Sequence, residues 1–145
     1  MNPEFCELHA DDRTRLSRCL AVHRQLRPQL ANDPDDYSRR MAEILGAGAR
    51  MTAATHGDAV VALAVWRVLE KTFCGRELYV DDLVTDAERR SKGIGAKLIA
   101  HLAAQARKLD CGLLALDSST QRHAAHRFYL HEGFSIVGFR FTRRP

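Results

Sequence analysis

Between Arg89 and Lys97 the chain reads Arg-Arg-Ser-Lys-Gly-Ile-Gly-Ala-Lys, with four basic residues and two glycines in nine positions. Glycine has no side chain to hold a ligand off the backbone, and a helix N-terminus carries partial positive charge. Such a run at a helix start therefore suits a phosphate or diphosphate. Arg89, Arg90, Lys92 and Lys97 would oppose the helix dipole unless an anion lay among them. Two other nucleotide patterns fit less well. There is no Gly-x-x-x-x-Gly-Lys-Ser/Thr, and only two of the three glycines of a dinucleotide fingerprint are present.

A second place for chemistry is the carboxylate pair Asp81-Asp82, which interrupts the apolar run LYVDDLVT. On a pleated strand adjacent side chains point to opposite faces, so one of the two is expected to reach a cleft. There it would draw in a cationic amine and accept its proton, directly or through water, while the other holds a helix or an arginine. Glu77, near the strand start, is an alternative base. The seven histidines are scattered without metal-ligand spacing, so no metal is expected. Cys6, Cys19, Cys74 and Cys111 stand far apart with no Cys-x-x-Cys pair and read as free thiols.

These residues need elements to position them. EFCELHA reads as a first strand, and RTRLSRCLAVHRQL as one helix capped by Asp11 or Asp12 and ended by Pro28. Asp33 before Pro34 starts a second helix, expected over about 34 to 46. His56-Gly57-Asp58 reads as a hairpin turn between two strand-like runs, and RELYVDDLVT follows as a third antiparallel strand. Beyond the glycine loop, Ile94, Leu98, Leu102, Ala106 and Leu109 mark an amphipathic helix with Gly112 just past its end. The apolar strand LLALD, a helix from about Ser119 or Thr120 to Gly133 and a final strand FSIVGFRF complete the order. The predicted fold is an α/β mixed sheet with helices on both faces.

The totals fit one soluble domain spanning residues 1–145, with 46% hydrophobic and 28% charged residues. No apolar run approaches the length of a membrane span, and the acidic start MNPEFCELHADDRTR is unlike a signal peptide, so a cytoplasmic protein without membrane contact is expected. The net charge of +4 is modest, and its excess is carried from Arg89 onward. That placement suits an anionic small molecule better than nucleic acid, although Arg140, Arg143 and Arg144 could join the loop arginines on an anionic polymer.

Arg90-Ser91-Lys92-Gly93-Ile94-Gly95, after the strand LYVDDLVT, resembles motif A of the GNAT acetyltransferase superfamily, Gln/Arg-x-x-Gly-x-Gly/Ala. Ala125-His126-Arg127-Phe128-Tyr129, with Gly133-Phe134 behind it, resembles that superfamily's motif B. The order of elements is also that of the GNAT fold. The resemblance implies acetyl-CoA binding in a cleft where the strands at 77 to 84 and 113 to 117 splay apart, with no metal. It implies that Leu83, Val84 and Thr85 pair with the pantetheine arm, with either Val84 or Thr85 at its centre. It further implies that N–H groups of Arg90, Ser91, Lys92, Gly93, Ile94 and Gly95 hold the diphosphate.

Arg122 stands where many members carry Asn and is taken as a further cofactor contact. Tyr129, by its place in the motif, becomes the candidate general acid for the departing thiolate, and His126 a candidate cleft residue. Asp33, Asp35, Asp36 and Tyr37 fall where the family's acceptor site is bordered. The family commonly has two strands beyond the position of Gly133 and this sequence supplies one, so a homodimer in which a partner subunit completes the edge is a further expectation. The function implied is acetyl transfer from acetyl-CoA to a primary amine of a small molecule or protein, by direct attack on the thioester. The alternative is a CoA-binding sensor or regulatory module of the same fold without turnover.

Overall fold

His56-Gly57-Asp58 does turn the chain. Gly57 takes φ +61, a left-handed value that glycine adopts without steric cost, and His56 pairs with Ala59 at the base of the hairpin. The computed structural model describes residues 2–90 and 92–145. Its elements run β1 (Glu4–Leu8), α1 (Arg13–Ser17), α2 (Leu20–Leu26), α3 (Pro34–Gly46), β2 (Arg50–His56), β3 (Ala59–Lys71), β4 (Gly75–Thr85), a short 3-10 turn (Ala87–Arg89), α4 (Ile94–Lys108), β5 (Leu113–Leu116) and α5 (His123–His131). They divide into two compact units, one running to Ala115 and one covering Leu116–Pro145.

In the first unit the strands stand in the order β1-β2-β3-β4-β5, a mixed sheet whose first three pairings are antiparallel ladders. One face buries Leu8, Met51, Leu63, Val65 and Val84 against Leu16, Leu20, Tyr37 and Met41 of the first three helices. α4 packs on β3 and β4 through Ile94, Leu98, Leu102 and Ala106, the stripe its spacing predicts. The strand residues that alternate with the first face, Ala62, Ala64 and Trp66, are buried too, so helices cover both faces. Trp66 is fully buried, and its indole N–H donates to Thr52 Oγ1 at 3.0 Å.

The expected single first helix is two. The break is shallow, because Arg18 and Cys19 stay right-handed (φ −68 and −79) and Cys19 N–H simply bonds three residues back, to the Leu16 carbonyl at 2.9 Å. A tightened turn of this kind keeps the apolar stripe continuous, so periodicity alone reads one helix.

α3 begins and ends as expected, with Pro34 in its first turn and Asp33 accepting from Asp36 N–H at 3.0 Å. After α4 the left-handed position belongs to Asp110 (φ +56) and not to Gly112. Gly112 serves close approach instead. Its N–H donates to the Arg76 carbonyl at 2.7 Å, and a Cβ there would lie 3.0 Å from the Cys74 carbonyl oxygen. That contact joins the base of β5 to the start of β4.

In the second unit α5 starts at His123, later than Ser119 or Thr120. Those residues form the preceding turn, in which the Ser119 carbonyl accepts from Arg122 N–H at 3.1 Å and from His126 Nε2–H at 2.8 Å. Gly133 (φ +91) ends the helix as predicted. The predicted final strand is not formed. Residues 134–145 carry no regular structure, and Ile136, Val137, Phe139 and Phe141 are 71–95% exposed. Alternating apolar residues make a strand only when a neighbour satisfies the backbone and covers a face, and among the described residues no strand pairs with this segment.

Candidate functional site

β4 carries the predicted carboxylates through a β-bulge. Val65 faces Asp82 and Trp66 faces Val80, which leaves Asp81 as the extra residue. The strict alternation behind the opposite-faces expectation is therefore broken at this point. Asp81 receives a bidentate guanidinium from Arg67 on β3 at 2.7 and 2.9 Å. Asp82 reaches α2, where Arg27 donates to its Oδ1 at 2.6 and 2.8 Å and His23 Nε2 lies 2.7 Å from its Oδ2. His23 is buried, and its Nδ1 stands 2.8 Å from the Tyr37 hydroxyl on α3.

The result is a hydrogen-bonded line, Tyr37–His23–Asp82–Arg27, joining α3, α2 and β4. A carboxylate only accepts, so Nε2–H donates to Asp82. Burial alone would raise the Asp82 pKa, but the bonds from His23 and Arg27 outweigh it and hold the carboxyl below its ordinary value. Burial pushes the Tyr37 hydroxyl far up, so Tyr37 keeps its proton. Glu77 is buried at the other end of β4, 3.6 Å from Lys71 Nζ.

His23 and Arg27 were not singled out by sequence reasoning. The available cue was their spacing of four along an amphipathic helix, with the histidine on its apolar side. Asp33, Asp35 and Asp36 sit in the first turn of α3, where Asp33 caps the helix, the Asp35 carbonyl accepts from Arg13, and Asp36 pairs with Arg39.

Beyond the carboxylates, Leu83, Val84 and Thr85 pair with Ala64, Leu63 and Ala62 of β3. In an antiparallel ladder alternate residues turn their N–H and C=O away from the partner, so this segment also presents backbone groups on its other side. The chain then leaves the sheet under a clamp from α2, in which Gln25 donates to Asp86 Oδ1 at 3.0 Å and accepts from Ala87 N–H at 2.8 Å.

α4 begins at Gly93, whose φ of +75 and ψ of 8 are left-handed and whose position supplies no side-chain cap. The first intrahelical bond runs from Lys97 N–H to the Gly93 carbonyl, so the N–H groups of Ile94, Gly95 and Ala96 have no partner inside the helix. Ile94 is buried and pins this turn, while Arg90 and Lys92 are exposed beside it. Ser91 lies outside the described residues. Lys97, counted with the basic cluster, donates to Asn2 Oδ1 at 2.9 Å.

In the second unit Tyr129 is 8% exposed, edge-on to Phe134 at 5.7 Å and tilted against Phe128 at 5.3 Å. Burial raises its hydroxyl pKa, and the Arg122 guanidinium pulls it partly back. Arg122 occupies the N-cap of α5. His126, tied to the Ser119 carbonyl, has its Nε2 proton committed.

Among the described residues no helix is long and apolar enough to cross a membrane. Two curated proteins match part of the chain. One is the uncharacterized N-acetyltransferase YhdJ of Bacillus subtilis (strain 168), 44% identical over 72 residues, 49% of this chain and 50% of that protein. The other is the aminoalkylphosphonate N-acetyltransferase of Salmonella typhimurium, 38% identical over 64 residues, 44% of this chain and 42% of that protein. The matches thus span about half the length of these relatives. In fold the chain is similar to an aminoglycoside N-acetyltransferase, AAC(6')-Iy, solved with CoA, at a TM-score of 0.82 and 18% identity over 99% of this chain and 95% of that one. A likeness at that identity speaks for the fold alone.

The family described as acetyltransferase (GNAT) matches residues 9–134, most of the chain. With the glycine-capped helix directly behind the β4 segment, and the fold shared throughout, the chain belongs to the acetyltransferase (GNAT) family.

Proposed function

We propose that the protein is an acetyl-CoA-dependent N-acetyltransferase for a primary amine. The observation that carries the reading is the N-terminus of α4, where Gly93 offers no capping side chain and leaves backbone donors beside Arg90 and Lys92. Those donors fit a diphosphate, and the outward backbone groups of Leu83, Val84 and Thr85 fit an amide-bearing arm leading away from it. Ser91 and Arg122 are carried as further contacts to the same cosubstrate.

When bound, acetyl-CoA supplies an activated acyl group with a thiol as the leaving group. The residues supply the rest. Fixed backbone N–H groups of β4 are suited to stabilising a developing oxyanion, the kind of term that dominates many enzymes. Tyr129, with its hydroxyl pKa raised by burial, keeps a proton that it can donate. Donation from an ordinary tyrosine to a thiolate is uphill by only about 2 kcal/mol.

Asp82, clamped by Arg27 and His23 with its pKa lowered, is a weak proton acceptor. Its suited role is to anchor α2 against the strand that carries the site. Asp81, held from one side by Arg67, is the better placed of the pair to draw in an ammonium group or to accept its proton through water.

The acceptor class follows the relatives only loosely. The Salmonella relative is named for aminoalkylphosphonates and a fold neighbour for aminoglycosides, so both belong in a first amine panel. The reading is tested by titration calorimetry with acetyl-CoA beside acetyl-pantetheine, which lacks the diphosphate, followed by amine-dependent thiol release. Binding that requires the diphosphate, with release for at least one amine, is expected. Binding without release for any amine would favour the sensor module, and no binding by the folded protein would overturn the cradle.

A further inference from the structure

Arg122 is an unfavourable residue for the helix it opens. It is the N-cap of α5, at φ −82 and ψ 65, and its side chain caps none of the helix donors. The first turn holds no acidic side chain. A helix N-terminus carries partial positive charge, so a guanidinium there is disfavoured unless it is engaged elsewhere.

It is engaged with Tyr129. That residue stands seven positions on, two turns along the same face of α5 and about 10 Å further along the axis. Helical side chains lean toward the N-terminus, so the tyrosine ring leans back while the arginine reaches forward. Where they meet, the Arg122 guanidinium donates a hydrogen bond to the Tyr129 hydroxyl. The ring is 8% exposed and wedged against Phe128 and Phe134, at 5.3 and 5.7 Å, which holds the hydroxyl to that donor.

The other titratable groups of α5 are turned to different partners. His126 bonds the Ser119 carbonyl at 2.8 Å with His123 edge-on to its ring, and His131 lies 3.3 Å from Glu132. Among the described residues, Arg122 is the charged group that acts on the hydroxyl.

This arrangement answers a conflict in what Tyr129 has to do. The burial that keeps its proton in place also disfavours the phenolate and so makes it a poorer acid. When the C–S bond breaks, the electron pair stays on sulfur and the Tyr129 proton follows it. The O–H bond breaks, and a phenolate remains until a proton from solvent replaces the one given. A cation hydrogen-bonded to that oxygen favours the phenolate over the phenol.

We propose that Arg122 is a positioning residue for Tyr129, which holds the hydroxyl in place and stabilises the phenolate that proton donation leaves behind. The role is separate from any contact of Arg122 with the cosubstrate. Its catalytic half rests on the proposed acetyl transfer, whereas the coupling of the two side chains does not, so the two are tested apart.

The first test needs no turnover. Protein labelled with meta-fluorotyrosine, whose ring fluorine makes each phenol more acidic and so moves its titration to milder pH, is titrated by fluorine NMR. The chain has three tyrosines, and the Tyr129 signal is the one lost in Tyr129→Phe. In Arg122→Gln, Tyr129 should titrate about one pH unit higher than in wild type, the low end for a neighbouring opposite charge because Arg122 is exposed. Arg122→Lys, which keeps the charge, should recover part of the difference. An unmoved titration in folded Arg122→Gln overturns the proposal, whether or not an amine acceptor is found.

The second test is kinetic. With an accepted amine, Arg122→Gln should lower kcat about three- to tenfold and leave acetyl-CoA affinity within about twofold. In a Tyr129→Phe background the same substitution should cause no further loss, because both act on one proton transfer. A fall in affinity with kcat kept, or losses that multiply in the double variant, would overturn the catalytic half. Absence of thiol release with every amine would sink the acetyl transfer and that half with it, while the titration would still decide the coupling.

Discussion

The two ends of the β4 exit differ in how their polar groups are satisfied. At residues 81–82 every carboxylate oxygen has a donor from Arg67, Arg27 or His23. Eleven residues on from Asp82, at Gly93, the helix opens on a cap residue that has no side chain to meet its donors. A saturated buried network locks elements together and costs stability when cut, whereas an unsatisfied helix start is stable only because water or a ligand reaches it. Asp82 with Arg27 and His23 is therefore the fixture, and the glycine end is the socket of the proposed acetyl-CoA site.

The sharpest break of that contrast is Gly93→Asp. A non-glycine residue at φ +75 is strained, and the carboxylate both caps the helix and repels phosphate. Acetyl-CoA affinity by calorimetry should fall about a hundredfold or more while the circular dichroism spectrum persists, since a Cβ there meets nothing within 4 Å. Unchanged affinity would remove the socket from this place.

Cutting the fixture should act on stability instead. Asp82→Asn leaves Arg27 and His23 without their carboxylate and is expected to cost about 2–3 kcal/mol in urea unfolding, somewhat below a fully buried pair because Arg27 is 43% exposed. The pH dependence has a definite sign. A carboxyl with its folded pKa below its unfolded value adds stability that is fully present above the unfolded value, near 4, and is lost as pH falls through the folded one. Wild type should lose stability relative to Asp82→Asn as pH drops below about 4, and parallel pH profiles would deny the network that role.

Tyr129→Phe sharpens the comparison from the second unit. If the buried hydroxyl donates its proton to the leaving thiolate, kcat should fall at least about tenfold with acetyl-CoA affinity little changed. A kcat equal to wild type would leave Tyr129 a packing residue beside Phe128 and Phe134.

The mildest cut is Tyr37→Phe, which takes the partner from His23 Nδ1 and keeps the ring. A loss of about 1 kcal/mol is expected, with acetyl-CoA binding intact. A larger effect on binding than on stability would mean that the fixture also shapes the socket.

Much of this was legible before any coordinates. The Pro34 helix start, the His56-Gly57-Asp58 hairpin, the α4 stripe and the glycine at the start of α4 depend on residues within one turn or one strand of each other, where steric and capping preferences act directly. Boundaries went astray where a local cue had a second use. Gly112 looked like a helix terminator and is instead the contact that lets β5 approach Cys74. The break at Arg18 and Cys19 was invisible because a single three-residue bond does not disturb the apolar period.

By itself, then, the sequence determined the order of elements from α3 to α5, the glycine start of α4 and the family to which these patterns belong, because each rests on short-range chemistry. Tertiary structure alone decided that Asp82 would be bound 59 and 55 positions away by His23 and Arg27. It decided that a bulge at Val65 and Trp66 would disturb the alternation of Asp81 and Asp82. It also left residues 134–145 without regular structure. Strand register, bulges and cross-element hydrogen bonds follow from how distant surfaces pack, and a strand exists only where a second strand completes it.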